Sequence, residues 1–189
     1  MSSAMELQVP RSVTEHLSGA VVAFFASHGV TCEPVAHEDG AEDGPSELGA
    51  MVGFRGKAIR GGLAFVAPKE LIASLLPVPP DGARPENQLR DWTAEIVNQI
   101  FGRLKNKLGA RAGRFQIGAP VCFSGRSIRL AFLPGAAGLP LAFVANGNLV
   151  RVHLDCVSVE TECGAHPWAI TDAPPAAARI VAEGDVLLF

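Results

Sequence analysis

The chain has 189 residues, enough for one domain with a substantial core, and at 48 % hydrophobic and 19 % charged residues it has the composition of an ordered globular protein. A formal net charge of −3 and the lack of any long basic run exclude a nucleic-acid footprint and give no hint of a lipid-binding surface. No apolar run is long enough to span a bilayer and none follows a basic leader, so neither membrane insertion nor a signal peptide is expected, and the chain reads as cytoplasmic.

Residues 1–11 read as a tail. Residues 12–28 follow as the first helix, with Ser12 or Thr14 at its N-cap and Gly29 as its stop. Leu17, Val21, Val22, Phe24 and Phe25 supply the apolar face that packs this helix on a sheet. Residues 31–36 form a strand, and the acidic, Gly/Pro-rich stretch 37–47 reads as a solvated loop. Residues 48–54 and 61–66 read as a hairpin, with 55–60 between its strands or partly within them. A short helix over 69–76 ends at Pro77, and 77–85 is a proline-rich linker.

A long helix is expected over 86–108, closed by Gly109. Strands follow at 115–123 and 127–132, and a hairpin at 141–144 and 149–157 turns on Asn146 and Gly147, both tolerant of positive φ. Hairpins combined with two long helices predict an α+β fold, a two-layer architecture with a mostly antiparallel sheet packed against the helices. The domain is then 12–158. Residues 159–189 form a C-terminal extension that could dock on it, as an edge strand or as a cover.

The long helix carries the chemistry. At about 100° per residue, Asp91, Glu95, Asn98 and Gly102 fall within a sector of roughly 60°. Ile96, Val97, Ile100, Phe101, Leu104 and Leu108 lie on the other side, so the helix buries these and shows the polar stripe to water. A carboxylate and a carboxamide then project side by side from one rigid surface. Glycine inside a helix costs about 1 kcal/mol against alanine. Its presence as Gly102 on the same stripe suggests close approach of a partner's backbone. Glu-x-x-Asn alone is a common solvated pattern, and the glycine is what raises it above that background.

Elsewhere the chemistry is thin. Cys32, Cys122, Cys156 and Cys163 form no C-x-x-C pair, and the five histidines form no metal-binding group, so free thiols and no metal site are expected. His153 reads as a packed or surface strand residue. Arg103, Lys105, Lys107, Arg111 and Arg114 surround the end of the long helix, where cations complement its dipole. Glu15 and Ser18 on the first helix echo the Glu–Asn pair but lack the carboxamide, so one site is assigned.

Taken together, Glu95, Asn98, Gly102, Lys105 and Leu108 resemble the active helix of the CheC/CheX/FliY family of chemotaxis phosphatases, the CheX branch in particular. Asp91 matches the acidic or Ser position that often precedes the Glu. Val52-Gly53-Phe54-Arg55-Gly56 and Gly61-Gly62-Leu63-Ala64-Phe65-Val66 resemble the family's first hairpin, and Gly118-Ala119-Pro120-Val121 its return strand. Phe101 and Arg103 depart from the usual aliphatic–Ala pair around the glycine. The resemblance implies a phosphatase whose substrate and partner is a phosphorylated CheY-like receiver domain of two-component signalling. Glu95 and Asn98 would be catalytic, with Asp91 and Gly102 contacting the partner. No cofactor of the chain's own is implied, because Mg2+ would come with the receiver. Two other readings stand beside it: a non-catalytic CheX-like module that binds a receiver or motility component, and a structural domain that forms a homodimer.

Overall fold

The computed structural model describes residues 9–36, 45–56, 59–76, 85–108, 115–131 and 136–158. Residues 37–44 of the loop expected over 37–47, residues 77–84 of the linker expected over 77–85, Gly109 and the C-terminal extension lie outside them, while Ser46 and Glu47, expected in the loop, belong to a strand. Helix α1 (Arg11–Ser27) leads into strand β1 (Cys32–Val35), the hairpin β2 (Ser46–Arg55) and β3 (Ile59–Pro68), and the short helix α2 (Lys69–Ser74). The long helix α3 (Glu86–Leu108) is followed by β4 (Gln116–Ile117), β5 (Val121–Arg126), β6 (Ala137–Ala145) and β7 (Asn148–Ser158).

The strands form one seven-stranded sheet in the order β1-β6-β7-β3-β2-β4, with β5 also on β2. Every pairing is antiparallel. Both α1 and α3 pack on the same face, α1 over β1 and β6, and α3 over β2, β3 and β5. The expected α+β two-layer architecture is the one observed. Alternation along the strands explains it: Leu48, Ala50, Val52 and Phe54 of β2 and Val150, Val152 and Leu154 of β7 are all buried beneath the helices. Phe24, Phe25, Leu17, Ile96, Ile100 and Leu104 meet them from the helical side, fully buried.

Two local expectations change. The α1 N-cap is Pro10, with no side-chain cap, rather than Ser12 or Thr14. Proline fixes φ near −60°, and its carbonyl accepts the Val13 and Thr14 N–H groups, so the helix starts two residues earlier than a Ser12 cap would place it. The predicted strand 115–123 becomes two short stretches on the edge of β2, the second running on to Arg126. β4 pairs at Phe54 and Arg55 and β5 from Ser46 to Met51. Pro120 lacks an N–H for the ladder, so the strand breaks at Gly118–Pro120, although the Gly118 N–H still reaches the Gly53 carbonyl at 2.9 Å. The Asn146–Gly147 hairpin forms as predicted, with both residues at positive φ, 48° and 74°.

Residues 127–131 are not a strand. They cross the sheet face opposite the helices, tied there by a buried ion pair between Glu47 and Arg151 at 2.6 Å. The second carboxylate oxygen accepts the Ile128 N–H at 2.9 Å, and Arg151 donates to the Ile128 carbonyl at 2.6 Å. The ring closes on itself, so removing either charge strands the other in a dry site. Glu47→Ala is expected to lower unfolding stability by about 3–5 kcal/mol, read as a drop in the denaturant midpoint at unchanged m-value.

Candidate functional site

The site rests on α3, whose buried side includes Leu89, Thr93, Ile96, Val97, Ile100, Phe101 and Leu104. Phe101 stacks on Phe54 of β2 at 5.1 Å, and Phe115 closes edge-on at 5.6 Å from Phe54 and 6.1 Å from Phe101. This aromatic trio fixes the helix rotation just where Asn98 and Gly102 sit, because turning Phe101 out of the cluster would forfeit its packing.

Both flanks of α3 are held. On one side α1 runs alongside it. Arg103 donates to Ser27 Oγ at 3.1 Å, and the His28 ring stands edge-on to Trp92 at 5.5 Å. On the other side the β5 edge meets it, with Arg90 donating to Ser124 Oγ at 3.2 Å and Cys122 Sγ to the Arg90 carbonyl at 3.2 Å. Burial pushes the Cys122 thiol up, with Arg90 pulling against that shift and Asp91 adding to it, so this thiol stays protonated at neutral pH. Burial raises Cys32 to about 11. The three cysteines of the described residues are free, as expected.

Between these flanks the predicted stripe is open to solvent. Asp91 and Glu95 are exposed, and Asn98 and Gly102 half-buried. One residue escaped the sequence reading: Gln99 donates its amide to Glu95 Oε1 at 2.8 Å. A Glu–Gln pair four residues apart on a helix is a readable signal. The bond engages Glu95 Oε1 only and restricts the carboxylate to the stripe. Glu15, the weak echo on α1, is engaged by Arg11 in a surface pair at 2.9 Å. The cations Lys105 and Lys107 lie in the last turn of α3, where the dipole favours them. No group of three or more His, Cys, Asp or Glu able to hold a metal occurs among the described residues. No helix among them is long and apolar enough to cross a membrane.

Gly102 decides between a packing role and an open face. A Cβ built on it meets nothing within 4 Å among the described residues, so no described strand requires the glycine.

The fold defines a class. A two-layer α+β domain with one antiparallel sheet beneath its helices is the architecture of CheC-like proteins. A CheC-like protein from Shewanella sp. PV-4 superposes with a TM-score of 0.66 at 16 % identity, covering 79 % of this chain and 99 % of its own. The chemotaxis protein CheX from Vibrio vulnificus gives 0.63 at 16 %, covering 77 % and 96 %. CheX from Borrelia burgdorferi, solved in a complex with CheY, BeF3 and Mg2+, gives 0.52 at 14 %, covering 77 % and 95 %. The family model for the chemotaxis phosphatase CheX matches residues 48–143, a span that contains all of α3. The chain therefore belongs to the CheX family. No match is found among curated proteins.

The open space at Gly102 gives a signed expectation. Gly102→Ala should raise stability by somewhat under about 1 kcal/mol, because it removes backbone entropy from the unfolded chain without a clash. Gly102→Leu should also fold with an unlowered melting temperature. A fall in the thermal midpoint of either variant would mean that the glycine serves the fold.

Proposed function

We propose that this protein is a phosphatase for the aspartyl phosphate of a CheY-like receiver domain in chemotaxis or related two-component signalling, with Glu95 and Asn98 as its catalytic pair. The observation that carries this reading is the position of Asn98. Its carboxamide makes no hydrogen bond among the described residues, and it stands on an open stripe beside a carboxylate that Gln99 holds. The stripe lies inside the span that the CheX family model matches.

The chemistry follows from what the pair can and cannot do. A carboxylate and an amide cannot cleave an unactivated phosphate monoester at a useful rate. An acyl phosphate is already reactive, and its hydrolysis needs little more than a water held in line with the P–O bond. Asn98 would enter the receiver's site, accept a hydrogen bond from the water at its amide oxygen and aim the lone pair at phosphorus. The acyl P–O bond breaks, the receiver's carboxylate leaves, and inorganic phosphate takes the water's oxygen. Mg2+ would belong to the receiver, a reading supported by the Borrelia CheX having been solved in a complex with CheY, BeF3 and Mg2+. Glu95 would pair with the lysine of the receiver's site, Gly102 would allow the close approach, and Asp91 would lie at the rim. A receiver substrate also places the protein in the cytoplasm.

Asn98→Ala should leave unfolding stability within about 0.5 kcal/mol of the parent, because the side chain has no partner among the described residues. It should slow phosphate release from phosphorylated receiver by about a hundredfold, the scale of a lost positioning contact. Wild-type-like release by this variant would end the assignment.

Glu95→Ala should weaken the complex with activated receiver, and Glu95→Lys should weaken it further by setting like charges against each other. Calorimetric titration measures both. Equal dissociation constants for the parent and the two variants would leave Glu95 as surface decoration.

A further inference from the structure

The sheet face opposite α1 and α3 holds a concavity of about 940 Å3, floored by Gly53, Gly62 and Gly118 and walled by Met51, Asp155 and Val157. That volume is on the scale of a pocket for a sizeable ligand, roughly 300–1,000 Å3. Its floor is bare because the strands carry glycine where side chains would otherwise fill it. At Gly61 a Cβ would collide with the Asp155 backbone, and the Asp155 carboxylate turns back to accept the Gly62 N–H at 2.7 Å. Met51 stays 46 % exposed beside this floor, and Val121, its neighbour on β5, is 61 % exposed. Large apolar side chains on a floor of glycine form a seat for other apolar side chains.

The rim carries a second signal. Arg55 and Arg60 stand directly opposite each other across the β2–β3 hairpin, and both line the concavity. Like charges in that relation oppose the pairing. Neither guanidinium has an ion-pair or hydrogen-bond partner among the described residues, and Asp155 is the one carboxylate in the described lining, so the two arginines leave the mouth of an apolar groove net positive. A fitting occupant joins a short apolar run to carboxylates.

The geometry points to the chain's own segment Glu183–Phe189 as that occupant, with Val186, Leu187, Leu188 and Phe189 in the groove and Glu183 and Asp185 against Arg55 and Arg60. Sequence and connection both favour it. The segment reads Glu-Gly-Asp followed by four consecutive apolar residues. β7 ends at Ser158, and Val157 itself lines the groove, so the chain leaves the sheet beside the seat. Residues 159–182, at ~3.3 Å per extended residue, give ample length for the return, and closing so long a loop adds little entropy over a shorter one. The Shewanella relative spends 99 % of its own length on 79 % of this chain, which leaves about a fifth of this chain without a counterpart there. Apolar burial by four side chains is of the order of the entropy lost in ordering the segment, so the seat is reversible.

Met51 is the sole methionine among the described residues, and its methyl group reports on the groove in the full chain. With methionine methyls labelled in 13C, its resonance should show nuclear Overhauser contacts to Leu and Phe protons of the segment. Leu187→Asp with Leu188→Asp should remove these contacts and shift the resonance. Arg55→Glu with Arg60→Glu should do the same, and adding Glu183→Arg and Asp185→Arg to that pair should restore them. A Met51 resonance indifferent to both sets of substitutions would overturn the inference. So would a resonance that moves with protein concentration but not with the segment, since a second copy would then fill the groove. A charge swap that fails to restore the contacts would also overturn it. None of these readouts depends on phosphatase activity.

Discussion

The long helix α3 has to bury one side, and the identity of its other side follows from that. Ile96, Val97, Ile100, Phe101 and Leu104 are buried, and each such side chain is worth about 1.5–3 kcal/mol against exposure. No rotation of the helix that brought Glu95 or Asn98 inward could recover that sum. The Phe54–Phe101–Phe115 cluster then removes the remaining freedom to roll, and α1 and β5 close the two flanks. What is left facing solvent is the strip bearing Asp91, Glu95, Asn98 and Gly102. The site is rigid because the core is, and it is accessible because nothing in the described chain covers it.

Much of this was legible before the fold. The limits of α3 read from the sequence as 86–108 are those observed, because apolar periodicity and a proline-rich lead-in agree there. The hairpin at Asn146–Gly147 was equally clear, since a two-residue turn of that composition has few alternatives. The region after α3 was read less well. Alternation over 115–123 suggested one strand, but Pro120 divides it. The segment over 127–131, which also alternates, is drawn across the sheet by the Glu47–Arg151 pair, a contact between residues 104 apart. Pattern reading cannot see a long-range buried ion pair. At the site itself, the helical face was visible from spacing, while the Gln99–Glu95 bond and the open space at Gly102 needed coordinates.

The two faces of the sheet are built for different tasks. Beneath the helices, large aliphatic and aromatic side chains interlock into a single core. On the opposite face, glycines thin the strands, a buried ion pair pins a crossing segment, and two arginines edge an apolar hollow. The first face sets the position of the polar stripe on α3. The second offers a surface remote from it, so an occupant there would leave the stripe free for a partner.

The central claim is that the α3 stripe is where a receiver docks. The most direct measurement is the set of backbone amide resonances that move when a beryllofluoride-activated CheY-like receiver is titrated into 15N-labelled protein. The account predicts perturbations centred on Asp91, Glu95, Asn98 and Gly102, fading along α1 and β5 and absent from Met51, Gly53 and Gly62 on the far face. Perturbations centred on the far face, or none at all with an activated receiver from the same cell, would contradict it.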